Sequence, residues 1–270
     1  MAGVALLVFR EVLEAALVIS IVCAATRGVS RRGLYVAAGI GIGIAGALLV
    51  ALGAGRIAQL AGGSGQEIFD ACVLLAAVVM IGWHVVWMSK HGRELAQQMG
   101  AVGSAVSQGS RPLTVLLTVV ALAVLREGSE VVLFLYGMVI GGIGVGGLTG
   151  GIALGVGGGA LLGFALYFGL LRVPMKHFFN VTNWMLVLLA AGLASTAARF
   201  LVQGNLVNPW GAQLWDTSWL LSNGSMVGKT LSILIGYDAS PDGIQIAFYA
   251  TTLLLLVFGM RRFHRTAPAA

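Results

Sequence analysis

Long apolar runs follow one another along the chain, separated by short polar segments. Seven runs are near 20 residues, the length at which a helix crosses the hydrocarbon core of a bilayer. They lack the alternating ten-residue pattern of membrane β-barrels. We therefore expect an all-α polytopic membrane protein with seven transmembrane helices, forming a single membrane domain over residues 1–270. The predicted spans are 3–25, 34–54, 68–88, 113–140, 150–171, 178–202 and 244–260.

Composition supports an integral membrane protein. The chain is 58% hydrophobic and 10% charged, with a mean hydropathy of +0.94, whereas soluble domains carry about 25% charged residues. The first span lacks a basic leader and is interrupted by Arg10, Glu11 and Glu14, so we do not expect a cleaved signal peptide. The net charge of +6 comes from basic residues in short loops, so no nucleic-acid partner is expected.

Basic residues are concentrated in alternate loops. The positive-inside rule then places the N-terminus outside and the C-terminus inside a cytoplasmic (inner) membrane. The opposite loops hold only Arg56 and Lys229. The residues that define the inner side are Arg27, Arg31, Arg32, Lys90, Arg93, Arg111, Arg172, Lys176, Arg261, Arg262 and Arg265.

Two spans carry the same charged pattern, R-E-x-x-E. The first copy holds Arg10, Glu11 and Glu14, and the second holds Arg126, Glu127 and Glu130. An ionisable residue inside a membrane span is expensive and is a functional-site candidate by default. Residues three and four apart share a helix face, so each motif predicts two carboxylates and one guanidinium side by side.

The two motifs lie in spans of opposite direction, which predicts an inverted repeat. Spans one to three (3–88) and four to six (113–202) form the two units, and the helix at 244–260 is an addition. The second span of each unit has small residues at four-residue steps, which let helix backbones approach closely in lipid. These residues are Gly39, Gly43, Ala47, Ala51 and Gly55, and Gly151, Gly155, Gly159 and Gly163. Inverted repeats place a substrate site near the bilayer midplane.

Four carboxylates and two guanidiniums near the midplane favour a hard, multiply charged cation, because carboxylate oxygens are hard ligands. The motifs contain no Cys, His or Met, which argues against Cu(I) or a structural zinc site. The plain alternative is two Arg–Glu pairs that tie helices together. Under that reading the second glutamate of each motif has no arginine of its own, so we favour a cation site.

Acidic residues lie on the predicted outer side. Glu67, Asp70, Asp238 and Asp242 are candidates for an entrance that attracts cations, although ordinary solvated loop residues would look the same. The outer loop 203–242 contains Trp210, Trp215 and Trp219, which predict a short interfacial helix or a docking surface. His84 is expected in the inner half of the third span, in an interfacial aromatic cluster or as an exit-path ligand.

At the two motifs the chain resembles the oxidase-dependent iron permease family, which includes fungal high-affinity and bacterial EfeU-type permeases. The resemblance covers essentially the whole chain. It extends to the Trp87-Met88 ending of the third span and to residues 236–240 before the last span. Fungal members have D-A-S-E there, whereas in this chain Asp238-Ala239-Ser240 is followed by Pro241-Asp242.

The resemblance implies import of iron, ferric in form and supplied by a separate oxidase or periplasmic metal-delivery protein. It assigns iron binding to Glu11, Glu14, Glu127 and Glu130, with Arg10 and Arg126 as orienting residues. Iron is then a substrate, with no permanently bound cofactor. Transport of ferrous iron or lead, and proton-coupled transport of another solute, remain open, as does a homo-oligomer. We expect no enzyme, since the chain lacks H-E-x-x-H and Ser129 has no evident base.

Overall fold

The computed structural model describes residues 1–60, 66–168, 175–211 and 213–264. Over these residues the chain is all-helical, as predicted. Arg172 and Arg265 lie outside the described residues, as do the side chains of Lys90, Arg93, Lys176 and Lys229. The eight helices are α1 (Ala2–Ala25), α2 (Arg32–Leu60), α3 (Gln66–Ser107), α4 (Thr114–Ile140), α5 (Val145–Tyr167), α6 (Met175–Gln203), α7 (Met226–Ile235) and α8 (Gly243–His264).

Five helices combine the length and hydropathy of a membrane span with few charges, namely α2, α3, α5, α6 and α8. α1 and α4 are as long and as apolar, but each carries the three charged residues of one R-E-x-x-E motif. Because of these three charged residues, neither helix is among the five that hydropathy and low charge identify as membrane spans. The five spans agree with a polytopic membrane protein.

Two predicted features differ from the structure. α3 continues to Ser107, about 19 residues beyond the predicted end at 88. Loss of hydropathy ends a membrane span but does not end a helix, and α3 ends only where Gly109 adopts the left-handed conformation with φ of 76°. In the 203–242 segment, the three Trp residues lie outside any helix, and the helix there is α7, which contains no Trp.

Two clusters of buried apolar side chains fix the relative direction of α1 and α4. Val22, near the end of α1, packs in one cluster with Leu116, near the start of α4. Val8, in the first half of α1, packs in the other cluster with Phe134, near the end of α4. The two motif-bearing helices are therefore antiparallel.

The glycine-rich helices pack tightly against the motif-bearing helices. α5 packs along α1, and α2 packs along α4. A Cβ added at Gly155 would lie 2.6 Å from the Cβ of Val8, and one at Gly43 would lie 2.6 Å from the Cβ of Val124. A side chain at either position would separate the helices, so glycine permits the close approach.

The third pair of neighbours is α3 and α6, and α8 packs on both. The segment after α7 is attached to α6 by two glycines. Gly236 ends α7 in the left-handed region with φ of 71°, and a Cβ added there would lie 2.5 Å from the Cα of Gly192. Only glycine suits both the conformation and the contact.

Candidate functional site

The motif on α1 is fully buried and internally paired. Arg10 is 1% exposed, and its guanidinium reaches both glutamates of its own motif. Nη1 donates to Oε1 of Glu11 at 2.7 Å, and Nη2 lies 2.7 Å from Oε1 of Glu14. The planar fork of the guanidinium suits two carboxylates at once.

The motif on α4 has the same residues in a more open environment. Nε of Arg126 donates to Oε1 of Glu130 at 3.3 Å and lies 3.9 Å from Oε1 of Glu127. The Arg126 side chain is 37% exposed, and its guanidinium carbon lies 4.7 Å from the ring centroid of Trp87 on α3. Arg126 is therefore held by an aromatic face as well as by carboxylates.

The antiparallel arrangement brings the two motifs together. Glu11, Glu127 and Glu130 each offer a ligand atom to one cluster, in which all the atoms lie within 4.8 Å of one another. Glu14 lies beside this cluster and is paired with Arg10. Three of the four predicted glutamates thus converge directly, and the fourth is adjacent.

The fourth member of the cluster is His84 of α3, for which the sequence predicted either an interfacial aromatic cluster or an exit-path ligand. The prediction of an interfacial aromatic cluster was wrong, because His84 is 2% exposed and contacts both motifs. Counting depth along the α3 axis takes no account of helix tilt or of the reach of glutamate and arginine side chains. The available signal was an ionisable residue inside an apolar span.

Some buried carboxylate oxygens in the cluster have no hydrogen-bond donor. Among the described residues, none donates to Oε2 of Glu11 or to Oε2 of Glu127, although both atoms are buried. A buried unpaired carboxylate oxygen is costly. These oxygens are therefore available to a cation, and a cation would remove the cost.

The formal charge of the site depends on the protonation of its glutamates and of His84. With all four glutamates ionised and His84 neutral, the four carboxylates and two guanidiniums give a formal charge of about −2. Arginine keeps its proton, so each Arg can hold a neighbouring carboxylate in the anionic form. A cation of charge +2 would make the site neutral.

The four predicted entrance residues lie away from this cluster and supply none of its ligand atoms. Glu67 and Asp70 occupy the first turns of α3 and are exposed and half-buried, respectively. Asp242 accepts a hydrogen bond from the backbone N–H of Gln213 at 3.2 Å. These positions leave the entrance role as a prediction.

Asp238 is bound within its own segment. It accepts hydrogen bonds from the Asn223 amide at 2.7 Å, the Ser240 N–H at 3.2 Å and the Gln245 amide at 3.2 Å. Partial burial opposes ionisation, but these donors hold the pKa of Asp238 below its ordinary value. Asp238 also lines a cavity of about 230 Å³ with Ser195 of α6 and Thr217.

Comparison with known proteins shows the relationship of the chain. The model of the iron permease FTR1 family matches residues 1–261. The chain is 33% identical over 258 residues to the ferrous iron permease EfeU of Escherichia coli O6:H1, covering 92% of this chain and 91% of that protein. It is 30% identical over 256 residues to the ferrous iron permease EfeU of Yersinia pestis, covering 92% and 89%.

No solved structure matches the chain. The family match runs from residue 1 to 261 and so includes both R-E-x-x-E motifs, and each permease match covers 92% of the chain. The chain belongs to the iron permease FTR1 family.

Proposed function

We propose that the chain imports iron across the cytoplasmic membrane through the cluster formed by its two R-E-x-x-E motifs. The observation that carries this proposal is the convergence of ligand atoms from Glu11, Glu127 and Glu130, with buried oxygens that lack donors. Carboxylates can replace part of the water shell of an iron ion. Family membership identifies iron as the cargo.

The proposed topology has seven spans, formed by α1 to α6 and α8, with the N-terminus outside. α1 and α4 are added to the five helices identified by hydropathy, because the four glutamates and Arg10 lie at the internal cluster and the more exposed Arg126 lies over the ring of Trp87. Two inverted repeats, 3–88 and 113–202, are supported by the reciprocal packing of α1 on α5 and of α2 on α4.

The oxidation state has two candidates. The sequence resemblance implies ferric iron, supplied by a separate oxidase or metal-delivery protein. The names of the relatives point to ferrous iron. With all four glutamates ionised and His84 neutral, Fe²⁺ would neutralise the formal charge of −2, whereas Fe³⁺ would leave an excess of +1.

In the proposed mechanism the iron ion first meets acidic groups on the outer side, including Glu67, Asp70, Asp238 and Asp242. Carboxylates of the cluster then replace part of its water shell. A rearrangement of the helices that carry the motifs opens the site to the inner side. Arg10 and Arg126 orient the glutamates of their own motifs.

The test is uptake of radioactive iron by proteoliposomes, with ferric and ferrous iron supplied separately. We expect uptake by the wild type and loss of uptake in the E11A and E127A variants, with normal expression and monodisperse protein. The matched control is E94A, which removes an exposed carboxylate from α3 away from the site. Full uptake by both motif variants would refute the site.

The main rival is a proton-coupled transporter of another solute that uses the glutamates as proton carriers. Binding of metal separates the two functions, because a ligand that binds only the folded protein raises its stability. A proton-coupled carrier of an organic solute would show no stabilisation by iron.

A further inference from the structure

His84 links the two motifs. Its Nε2 lies 2.8 Å from Nη2 of Arg10 on α1, and its Nδ1 contacts Oε2 of Glu130 on α4. The ring is 2% exposed. A single residue of α3 therefore touches the charged groups of both motif-bearing helices.

The guanidinium of Arg10 shows that His84 faces a cation position. Nη2 of Arg10 lies 2.7 Å from Oε1 of Glu14, 2.8 Å from Nε2 of His84 and 3.5 Å from Oδ1 of Asn183. Carboxylate, imidazole and amide groups are all ligand types for metal ions. The positively charged guanidinium of Arg10 is therefore surrounded by three side-chain groups that could also bind a metal ion.

The spacing of the cluster also suits an ion. All of its ligand atoms lie within 4.8 Å of one another, so an ion midway between any two of them would lie about 2.4 Å or less from each, which is compatible with metal–oxygen distances in proteins. The unpartnered Oε2 atoms of Glu11 and Glu127 are an independent indication of a ligand, because both are buried. His84 shares this cluster with them.

We propose that His84 is a direct ligand of the transported ion and that its nitrogen lets the site discriminate Fe²⁺ from Mn²⁺. This inference rests on the proposed function of the cluster. The contact of Nδ1 with Glu130 orients the ring, as a carboxylate commonly does for a metal-binding histidine. Nε2 then binds iron in place of its contact with Arg10.

The basis of the discrimination is the type of ligand atom. Sites made of carboxylates alone suit Mg²⁺, Ca²⁺ and Mn²⁺, whereas an imidazole nitrogen also suits iron. Affinity for a given site generally rises from Mn²⁺ to Fe²⁺. A nitrogen donor among three carboxylates would increase this difference.

The experiment measures Fe²⁺ and Mn²⁺ binding to the purified full chain in detergent, without oxygen, by calorimetry. We expect H84Q to weaken Fe²⁺ binding by about tenfold or more and to weaken Mn²⁺ binding less, so that the ratio of the two affinities falls. The matched control is W83F, which changes the neighbouring, 72% exposed residue of the same helix and should leave both affinities unchanged.

A second measurement detects the nitrogen ligand directly. Pulsed electron paramagnetic resonance of Mn²⁺ bound to the wild type should show coupling to an imidazole nitrogen, which H84Q should lack. If H84Q does not fold, the signal of the wild type alone decides the matter. Absence of nitrogen coupling in metal-loaded wild type would overturn the inference.

The outcomes separate the inference from the function on which it rests. If folded wild type binds neither metal, the proposed function of the cluster fails and the role of His84 fails with it. If wild type binds both metals, E127A loses binding, and H84Q keeps the wild-type ratio of affinities, the proposed function stands and the role of His84 is overturned.

Discussion

Arg10 and Arg126 occupy the same position in their motifs but different environments, since Arg10 is 1% exposed and the Arg126 side chain is 37% exposed. Arg10 is surrounded by Glu11, Glu14 and His84. Arg126 reaches its glutamates at longer distances and lies over the ring of Trp87. The two arginines should therefore respond differently to the same substitution.

We expect R10K to reduce iron uptake by more than about tenfold, as loss of a group that orients metal ligands typically does. A lysine ammonium is a single point of charge and cannot replace the fork that pairs with two carboxylates. R126K should remain within about fivefold of the wild type, the equivalent of about 1 kcal/mol for a partly exposed pair.

Uptake by proteoliposomes and the thermal unfolding midpoint of the same preparations would be measured together. R10K should also lower the midpoint, because a buried carboxylate is left without its full partner. Equal losses in the two variants would argue that the difference in burial has no functional consequence.

The close contact between α5 and α1 predicts a position-specific effect of glycine substitution. G155A should destabilise the protein by about 1–3 kcal/mol, the usual effect of inserting a methyl group into a packed contact, because its Cβ would lie 2.6 Å from that of Val8. G157A on the same helix is the control, since nothing lies within 4 Å of its added Cβ. Thermal unfolding in detergent measures both.

The contact between α2 and α4 offers an independent repetition of this comparison. G43A should destabilise the protein, whereas G41A, whose added Cβ meets nothing within 4 Å, should not. Unchanged midpoints for both G155A and G43A would mean that the helices do not approach as closely as described.

Asp238 should contribute to stability in a way that depends on pH. Its pKa is lowered in the folded protein, so its contribution is complete above the unfolded value of about 3.9 and is lost as the pH falls through the folded value. We therefore expect the difference in unfolding midpoint between wild type and D238N to be constant from pH 5 to 7 and to shrink below about pH 4.

The same variant tests the entrance role. D238N keeps an oxygen that can accept the hydrogen bonds from Asn223 and Ser240, so the segment should stay folded at neutral pH. Reduced uptake at low iron concentration in a stable D238N would support an entrance. Normal uptake there would restrict Asp238 to a structural role.

Iron should stabilise the folded protein through the cluster. At a concentration of about 100 times its Kd, Fe²⁺ would add about 2.7 kcal/mol to the free energy of unfolding of the wild type. The E11A/E127A double variant should gain nothing, and E94A should gain as much as the wild type. Differential scanning fluorimetry measures all three, and equal stabilisation of the double variant would place the metal elsewhere.

Much of the helical pattern was predictable from hydropathy. α1 and α4 begin and end within one residue of the predicted spans 3–25 and 113–140. The extension of α3 to Ser107 was not predictable from hydropathy, which reports where a helix leaves lipid rather than where its hydrogen bonds end. The helix expected around the three Trp residues was wrong because aromatic residues at an interface need no helical backbone.

The site was predictable in part. The spacing of each motif places Arg10 beside Glu14 and Arg126 beside Glu130, as found. His84 could not be assigned, because no spacing within α3 reveals which side chains of α1 and α4 it meets. Whether a residue of α3 reaches the cluster depends on how α1, α3 and α4 tilt and pack against one another. The residues next to His84 in the sequence do not reveal this.

The glycine contacts constrain which parts of the protein can move as units. Gly155 allows α5 to contact α1 closely, and Gly43 allows α2 to contact α4 closely, so these close contacts join the two halves of the sequence. Separation of 3–88 from 113–202 as rigid units would break both contacts. A motion that preserves them moves the α1–α5 pair relative to the α2–α4 pair. Because each pair carries one motif, this motion would separate the carboxylates of the two motifs.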